Sequence, residues 1–488
     1  MRRMGALRFH IAAMCALLLV LATAAVGASN APILSARSTA DGSGDLAGGR
    51  ATSTGIPGEN LTPGAPGASG GTGAGGGGGG VGSGSELAGR HITYDDGAND
   101  KEVLIGGSTF TSGPAAVYGE QIAVGFSAGV NYVNDHGGIN GRRLNFKLYD
   151  DGGDPAKQLA NTKRLVEVDH AFALTMSYAP IAGDYVNSVG LPVYHLGQFN
   201  EEFTNPWWFP LGGPQLTSAM ALAASGSRTL GAKSVSIFYI DAGANNFSRQ
   251  FAEKVASYWR AYGVDVKALV PFTPDQTSCS DAIGEASKDK VDFIDFEIDA
   301  GHVIQCGVEA QIQGYKPPKG WGGYLIGVPV IHEALGDFSE GMYAFDAFGD
   351  DYNNPDYIKY VHAVSAKTDT YSSVTMSYFI AALLVQDSMS KLGDDFTRVH
   401  LRDVLNSYTD WTPGLTTSDD QPRWTWRPDC HYGIRGGYLI QIHKQPDGSL
   451  RWDQITPQGK GVPLPPGIDP PPDLASCPVF MTPEEAGF

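Results

Sequence analysis

Gly125-Phe126-Ser127-Ala128-Gly129 spells G-x-S-x-G. In hydrolases that pattern holds a serine nucleophile on a sharp turn between a strand and a helix. Here Ile122, Phe126, Val130 and Val133 recur at helical spacing through it. The pentapeptide therefore sits inside a predicted helix, and Ser127 lacks the turn that would expose it. His332-Glu333 begins like a zinc-protease motif, but the place of that motif's second histidine is taken by Gly336. Neither nucleophilic nor metal-assisted hydrolysis is the expected chemistry, and no enzyme, metal or cofactor is assigned; a secreted serine hydrolase using Ser127 stays as an alternative, which reaction with a serine-directed probe would revive. The remaining reactive side chains are cysteines. Cys15 lies in an N-terminal apolar run, leaving Cys279, Cys306, Cys430 and Cys477. No Cys-x-x-Cys or Cys/His ligand spacing is present, so a zinc site is not expected. Four cysteines in an exported chain suggest two disulfides with three possible connectivities. Pairing between sequence neighbours, Cys279–Cys306 and Cys430–Cys477, is the expectation taken.

The case for export rests on the first residues. Arg2, Arg3 and Arg8 precede an uncharged apolar run from Ile11 to Val26, and Val26-Gly27-Ala28 supplies small residues for cleavage. Residues 1–28 read as a secretory signal peptide, too short and wrongly flanked for an ordinary membrane span. An uncleaved anchor is the alternative. Met14 before Cys15 does not suit a lipid-anchor signal. Residues 29–90 hold 20 of the 64 glycines and no aromatic residue. Such a stretch cannot bury enough apolar surface to offset its ordering entropy, so it reads as a disordered linker. As a flexible coil its ends would lie about 40–50 Å apart. The formal charge of −18 disfavours nucleic acid and anionic membrane as partners.

Beyond residue 100, strands and helices alternate. Strands are expected at Val103–Gly107, Leu144–Tyr149, Phe172–Met176, Val193–Leu196, Val235–Ile240, Val264–Val270, Phe293–Ile298, Tyr324–Val328 and Met342–Phe348. Helices are expected at Gly119–Asn134, Pro155–Val168, Thr217–Leu230, Ser248–Tyr262, Asp281–Ser287, Val303–Gly314 and Ser372–Leu392. That alternation predicts an α/β fold with parallel sheets flanked by helices. Asp154 before Pro155 predicts a helix start, and His136-Gly137-Gly138 a helix end. The loops at the carboxyl ends of such strands are where small molecules bind. From Ile455 onward proline dominates, and residues 455–488 read as an extended C-terminal tail, pinned near Cys477.

Three sequence features carry a resemblance. They are Gly113-Pro114-Ala115-Ala116-Val117-Tyr118-Gly119, then Asn134-Asp135-His136-Gly137-Gly138-Ile139-Asn140-Gly141-Arg142, then Asp150-Asp151 with Asp154-Pro155. With the late helix Tyr371–Gly393, they resemble the type I periplasmic binding proteins, in particular the branched-chain amino acid group that serves ABC importers. The resemblance covers Val103 to about His443. It implies two α/β lobes joined by three hinge crossovers, with ligand held between them. Mapped here, lobe one is 101–213 with 350–417, and lobe two is 214–349 with 418–454. It also implies an extracytoplasmic, monomeric protein that carries a small molecule to a membrane permease. A sensor of the same fold, docking on a signalling receptor, stays open as an alternative.

The resemblance further assigns candidate ligand contacts. Ser177 and Tyr178 stand where the family binds a carboxylate. Gly197 and Gln198 follow the next strand, Gln198 replacing a hydroxyl with an amide. Phe247 stands where a tyrosine packs on the ligand. No acid occupies Val328-Pro329, near where amino-acid binders pair an ammonium, so Asp241 or Asp299 would have to substitute. Phe110 in the first loop, and Trp207 and Trp208 before the first hinge, supply aromatic surface. The expected ligand is amino-acid-like, amide-bearing or aromatic rather than leucine itself.

Overall fold

The computed structural model describes residues 92–488, apart from 113–115, 177–179, 198–199, 214, 242–246, 274, 324–325, 369, 416–420 and 435. The expected signal peptide and linker lie outside the described residues. Two sheets organise the rest. The first contains β2 (Glu102–Thr109), β3 (Arg143–Asp150), β4 (Ala173–Met176), β5 (Val193–His195) and β6 (Trp208–Pro210), all parallel, in the order β3-β2-β4-β5-β6. The second contains β7 (Ser234–Ile240), β8 (Asp265–Phe272), β9 (Phe293–Glu297), β10 (Trp321–Gly323) and β11 (Met342–Asp346), also parallel. A hairpin of β13 (Tyr438–Lys444) and β14 (Leu450–Gln454) extends it antiparallel beside β11. The small pairs β1 (Thr93–Tyr94) with β12 (Asp395–Phe396), and β15 (Val462–Pro463) with β16 (Phe480–Met481), are parallel.

The flanking helices are α1 (Ala116–Asp135), α2 (Pro155–Glu167), α3 (Pro180–Val189), α4 (Gln215–Ala224), α5 (Phe247–Ala261), α6 (Ser280–Lys288), α7 (Ala300–Gln313), α8 (Pro329–Leu335), α9 (Pro355–Val364), α10 (Ser373–Ser390), α11 (Arg398–Leu405) and α12 (Pro483–Ala486). The expected α/β fold is thus present. α9 and α10 return from the second sheet to pack on α1 beside the first. The chain therefore passes between the sheets three times: after β6, after β11 and before β13.

Local chemistry explains the motifs. Asp154 caps α2, accepting from the backbone N–H groups of Ala156 at 2.8 Å and Lys157 at 3.3 Å. Pro155 at the first helical position has no N–H to satisfy. In the Gly-Gly turn, a β-carbon on Gly138 would lie 2.1 Å from the Arg142 carbonyl oxygen, so only glycine fits. Arg142 is fully buried. Its guanidinium lies 4.8 Å from the Phe396 ring centroid and donates to the Tyr94 hydroxyl at 2.6 Å and the Asn99 carbonyl at 2.9 Å. The turn is a clamp that ties β1 and β12 to the amino ends of β2 and β3.

The G-x-S-x-G stretch lies within α1, without a strand-to-helix turn. Its glycines have a packing role. A β-carbon on Gly125 would lie 2.3 Å from the Thr375 carbonyl oxygen, and one on Gly129 would lie 2.6 Å from the Ala382 β-carbon. Two glycines one turn apart let α10 approach closely.

One expected strand is displaced. Of the strand expected at Tyr324–Val328, Tyr324 and Leu325 lie outside the described residues and Ile326 to Val328 are not strand; the observed strand is Trp321–Gly323. The Gly323 α-carbon faces the Phe296 carbonyl so closely that a β-carbon would lie 2.1 Å from it. Two of the three residues of this strand are glycines pressed against neighbouring strands, so apolar patterning misses it. The helix expected at Thr217–Leu230 ends its regular part at Ala224 and finishes in a π turn over Ser225–Thr229. Both expected disulfides are formed, Cys279–Cys306 between the start of α6 and α7, and Cys430–Cys477 between the third passage and the C-terminal segment. Segment 455–488, expected as an extended tail, instead carries β15, β16 and α12.

Candidate functional site

A cavity of about 140 Å³ opens where the three passages meet. Gly212 and Gly213 come from the first passage, Asp346 to Phe348 from the second, and Tyr432, Ile434, Gly436 and Gly437 from the third. The first sheet contributes Phe110 after β2 and Leu196 and Gly197 after β5. Helix α1 brings Tyr118 and Ile122, α4 brings Thr217, Ser218 and Ala221, and α10 brings Ser373, Val374 and Tyr378. Gly327 and Val328 close one side, and Gly461, Val462 and Pro463 another. These are carboxyl-end loops of both sheets, where an open α/β fold receives a ligand.

The lining is mostly apolar, so the few polar groups decide what can be read there. Tyr118 is 6% exposed, and its hydroxyl has no hydrogen-bond partner among the described residues. Burial, aided by the negative charge of Asp299, pushes its pKa above the usual phenol value. It is therefore a neutral O–H available to an acceptor. The other two tyrosines are occupied. Tyr432 shares a 2.9 Å hydrogen bond with Thr217, and Tyr378 bonds the backbone of Leu196. Among the described residues Asp346 is the one carboxylate side chain in the lining, and both its oxygens already accept: from the Phe348 N–H at 2.7 Å and from the Tyr352 hydroxyl at 2.8 Å. No lysine, arginine or histidine among the described residues lines the cavity.

The sequence-derived site residues divide into three groups. Phe110 and Gly197 line the cavity. Ser177, Tyr178 and Gln198 lie outside the described residues. Phe247 opens α5, but the placement of its side chain is likewise outside them. Asp241 does not line the cavity; its backbone N–H donates to the Phe272 carbonyl at 2.7 Å at the end of β7. Asp299 caps α7, accepting from the Gly301 and His302 N–H groups and lying 2.5 Å from the His302 ring. It is committed to that cap. Trp207 and Trp208 pack in the core with Leu165 and Val186 and do not line the cavity. Sequence reasoning misses Tyr118, Asp346, Tyr378, Tyr432 and Val462. Tyr118 is within its reach, since it stands in the Gly113–Gly119 motif itself.

Among the described residues, no group of three or more His, Cys, Asp or Glu side chains could hold a metal ion. No helix among them is long and apolar enough to cross a membrane. What the arrangement can do is hold a compact molecule and offer it the buried Tyr118 hydroxyl, with the Ser218 and Ser373 hydroxyls also in the lining.

Comparison with known proteins agrees with this geometry. A solved fatty acid ABC transporter substrate-binding protein from Thermomonospora curvata is 17% identical, with a TM-score of 0.61 over 80% of this chain and 98% of that one. A solute-binding protein of an R. palustris ABC transporter, solved with 4-hydroxybenzoate, is 16% identical, with a TM-score of 0.59 over 74% of this chain and 98% of that one. A branched-chain amino acid transporter substrate-binding protein from Streptococcus pneumoniae, solved with isoleucine, is 16% identical, with a TM-score of 0.59 over 73% and 100%. At such identities these likenesses show the fold. In sequence, Leu/Ile/Val-binding protein homolog 1 of Brucella abortus is 42% identical over 59 residues, a stretch that spans 12% of this chain and only 16% of that relative. The family described as periplasmic binding protein matches residues 102–447. With a match across most of its length, and parallel sheets flanked by helices as in the type I members, this chain belongs to the periplasmic binding protein family.

Proposed function

We propose that this protein is the extracytoplasmic solute-binding component of an ABC importer. It captures a small, largely apolar molecule between two lobes and presents the closed form to a membrane permease. The lobes are 101–213 with 350–417, and 214–349 with 418–454. The observation that carries this reading is the position of the cavity, where all three passages between the sheets converge. Rotation about those passages would open and close it without disturbing either sheet. The signal-like sequence of residues 1–28 supports export. The similar structures, one a fatty acid ABC transporter substrate-binding protein and two solved with 4-hydroxybenzoate and with isoleucine, support solute binding as the role.

The lining favours the aromatic or aliphatic end of that range. A buried ammonium needs a charged partner, and it would have to share Asp346, the one carboxylate in the lining among the described residues, with the Phe348 N–H and the Tyr352 hydroxyl. Mass spectrometry of ligand carried through purification, with a thermal-shift panel of isoleucine, 4-hydroxybenzoate and octanoate, tests the proposal. A neutral or carboxylate-bearing apolar compound is expected. No carried ligand and no shift with any solute would sink the reading.

The Tyr118 hydroxyl gives a sharper expectation. It bonds nothing among the described residues, so Tyr118→Phe should leave stability measured without ligand unchanged or slightly raised. Affinity for the carried ligand should fall roughly tenfold, the cost of about one hydrogen bond. Isothermal titration of both proteins decides it. Equal affinities would remove Tyr118 from recognition.

A further inference from the structure

The C-terminal segment 455–488 follows the region that matches the family, yet three of its residues line the cavity. Its proline-rich sequence belies how firmly it is held. Along β15 and just past it, backbone donors are used only at alternate positions: the Val462 N–H donates to Val479 and the Leu464 N–H to Met481, each at 2.8 Å. Pro463 falls between them, where a missing N–H costs nothing. Gly461 is pressed so closely that a β-carbon would lie 2.5 Å from the Val479 carbonyl oxygen. Helix α12 follows β16 with a full capping box, Thr482 and Glu485 bonding reciprocally.

The segment also touches elements on both sides of the passages. β15 packs on α4, and the ring of Phe488 stacks over Phe345 of β11 at 6.2 Å. Glu484 pairs with Arg228 at 2.7 Å. A short 3-10 turn, Pro472–Leu474, meets the turn Asn200–Thr204 that precedes β6. Leu474 is fully buried there, and Cys477 is bonded to Cys430. A segment fastened at so many points keeps Val462, 4% exposed, against the cavity.

We propose that segment 455–488 is a fixed wall of the ligand cavity, clasped by Cys430–Cys477, and that Val462 limits the ligand to a compact apolar body of about one ring. This rests on the cavity being the ligand site. The size follows from the volume. An apolar cavity of about 150 Å³ stays dry and accepts benzene or xenon, and this one is about 140 Å³. Val462 is the wall's apolar side chain at the cavity. Pro463 adds a rigid ring beside it, and Gly461 adds only backbone.

Xenon tests the wall independently of transport. The wild-type protein should give a saturable ¹²⁹Xe chemical shift. In Val462→Trp the indole should fill the space and weaken xenon binding at least tenfold, with both disulfides formed and cooperative unfolding retained. Should Val462→Trp not fold, Val462→Met should still weaken binding severalfold, and Val462→Ala should strengthen it. Xenon binding unchanged in the filled variants would overturn the proposal, as would the absence of a saturable site in the wild type. Normal xenon behaviour in a protein that binds no solute of the panel would sink the transport reading and leave the wall standing. Solute binding that is indifferent to Val462→Trp would do the reverse.

Discussion

Replacing Cys430 and Cys477 together by serine is expected to lower stability by about 4 kcal/mol, from the loop-closure entropy returned to the unfolded chain. The bond closes a loop of sequence separation 47; Cys279–Cys306 closes one of 27 and should contribute about 3.5 kcal/mol on the same basis. The two bonds are therefore close in stability but differ in what they hold. Cys279–Cys306 ties α6 to α7, helices already packed together. Cys430–Cys477 is the covalent fastening of a segment otherwise held by the β15–β16 pair, the packing of β15 on α4, the turn at Pro472–Leu474 and the Phe488 and Glu484 contacts. Denaturant unfolding of both double variants measures the first effect, and amide exchange at Val462 and Leu464 measures the second. The Cys430/Cys477 variant should exchange faster at both amides; the Cys279/Cys306 variant should not. A loss below about 1 kcal/mol with unchanged exchange would show that noncovalent packing alone holds the segment.

The second large effect is expected at the glycines of α1. Gly125→Ala with Gly129→Ala should destabilise the protein by about 3 kcal/mol. Alanine in a helix interior gains roughly 0.5–1 kcal/mol per site. Overpacking costs about 1–3 kcal/mol per site or more, and here the obstacle at 2.3 Å is the backbone oxygen of Thr375, which no rotamer change can move. The clash should win, pushing α10 away from α1. Because Ser373, Val374 and Tyr378 of α10 line the cavity, solute affinity should fall with stability. Ser127→Ala is the control, expected to leave both unchanged. Thermal unfolding that matches or exceeds wild type in the glycine variant would refute the close-approach reading.

These cases show what the amino-acid order makes legible. Central strands such as Ser234–Ile240 and Phe293–Glu297 are fully buried and rich in β-branched and aromatic residues, so their composition reveals them. β10 fails for the opposite reason, because its neighbours press against Gly322 and Gly323 and leave no room for a pattern. The β13–β14 hairpin has a readable signal in Asp447-Gly448, with Gly448 at φ 87°. Strand-helix alternation hides it, because that rhythm accounts for a parallel sheet without any hairpin. The site is less legible than the fold. Phe110 and Gly197 follow strands and are found by position. Tyr118, Tyr378 and Val462 sit on two helices and a proline-rich segment, and only the tertiary arrangement turns them toward one space. A local pattern cannot encode that convergence.

The Arg142 clamp has a mechanical consequence. It fixes β1, and with it the point where the chain ahead of Ile92 joins the body, to the amino ends of the first sheet. The cavity lies past the carboxyl ends, and β2, at eight residues, separates the two by about 25 Å. A pull applied at Ile92 would act on the far end of the first sheet, through Arg142 and the β1–β12 pair, rather than across the passages between the two sheets. Such a pull would strain that clamp before prising the cavity open. The grip on a ligand and any pull applied through Ile92 would thereby be mechanically separate.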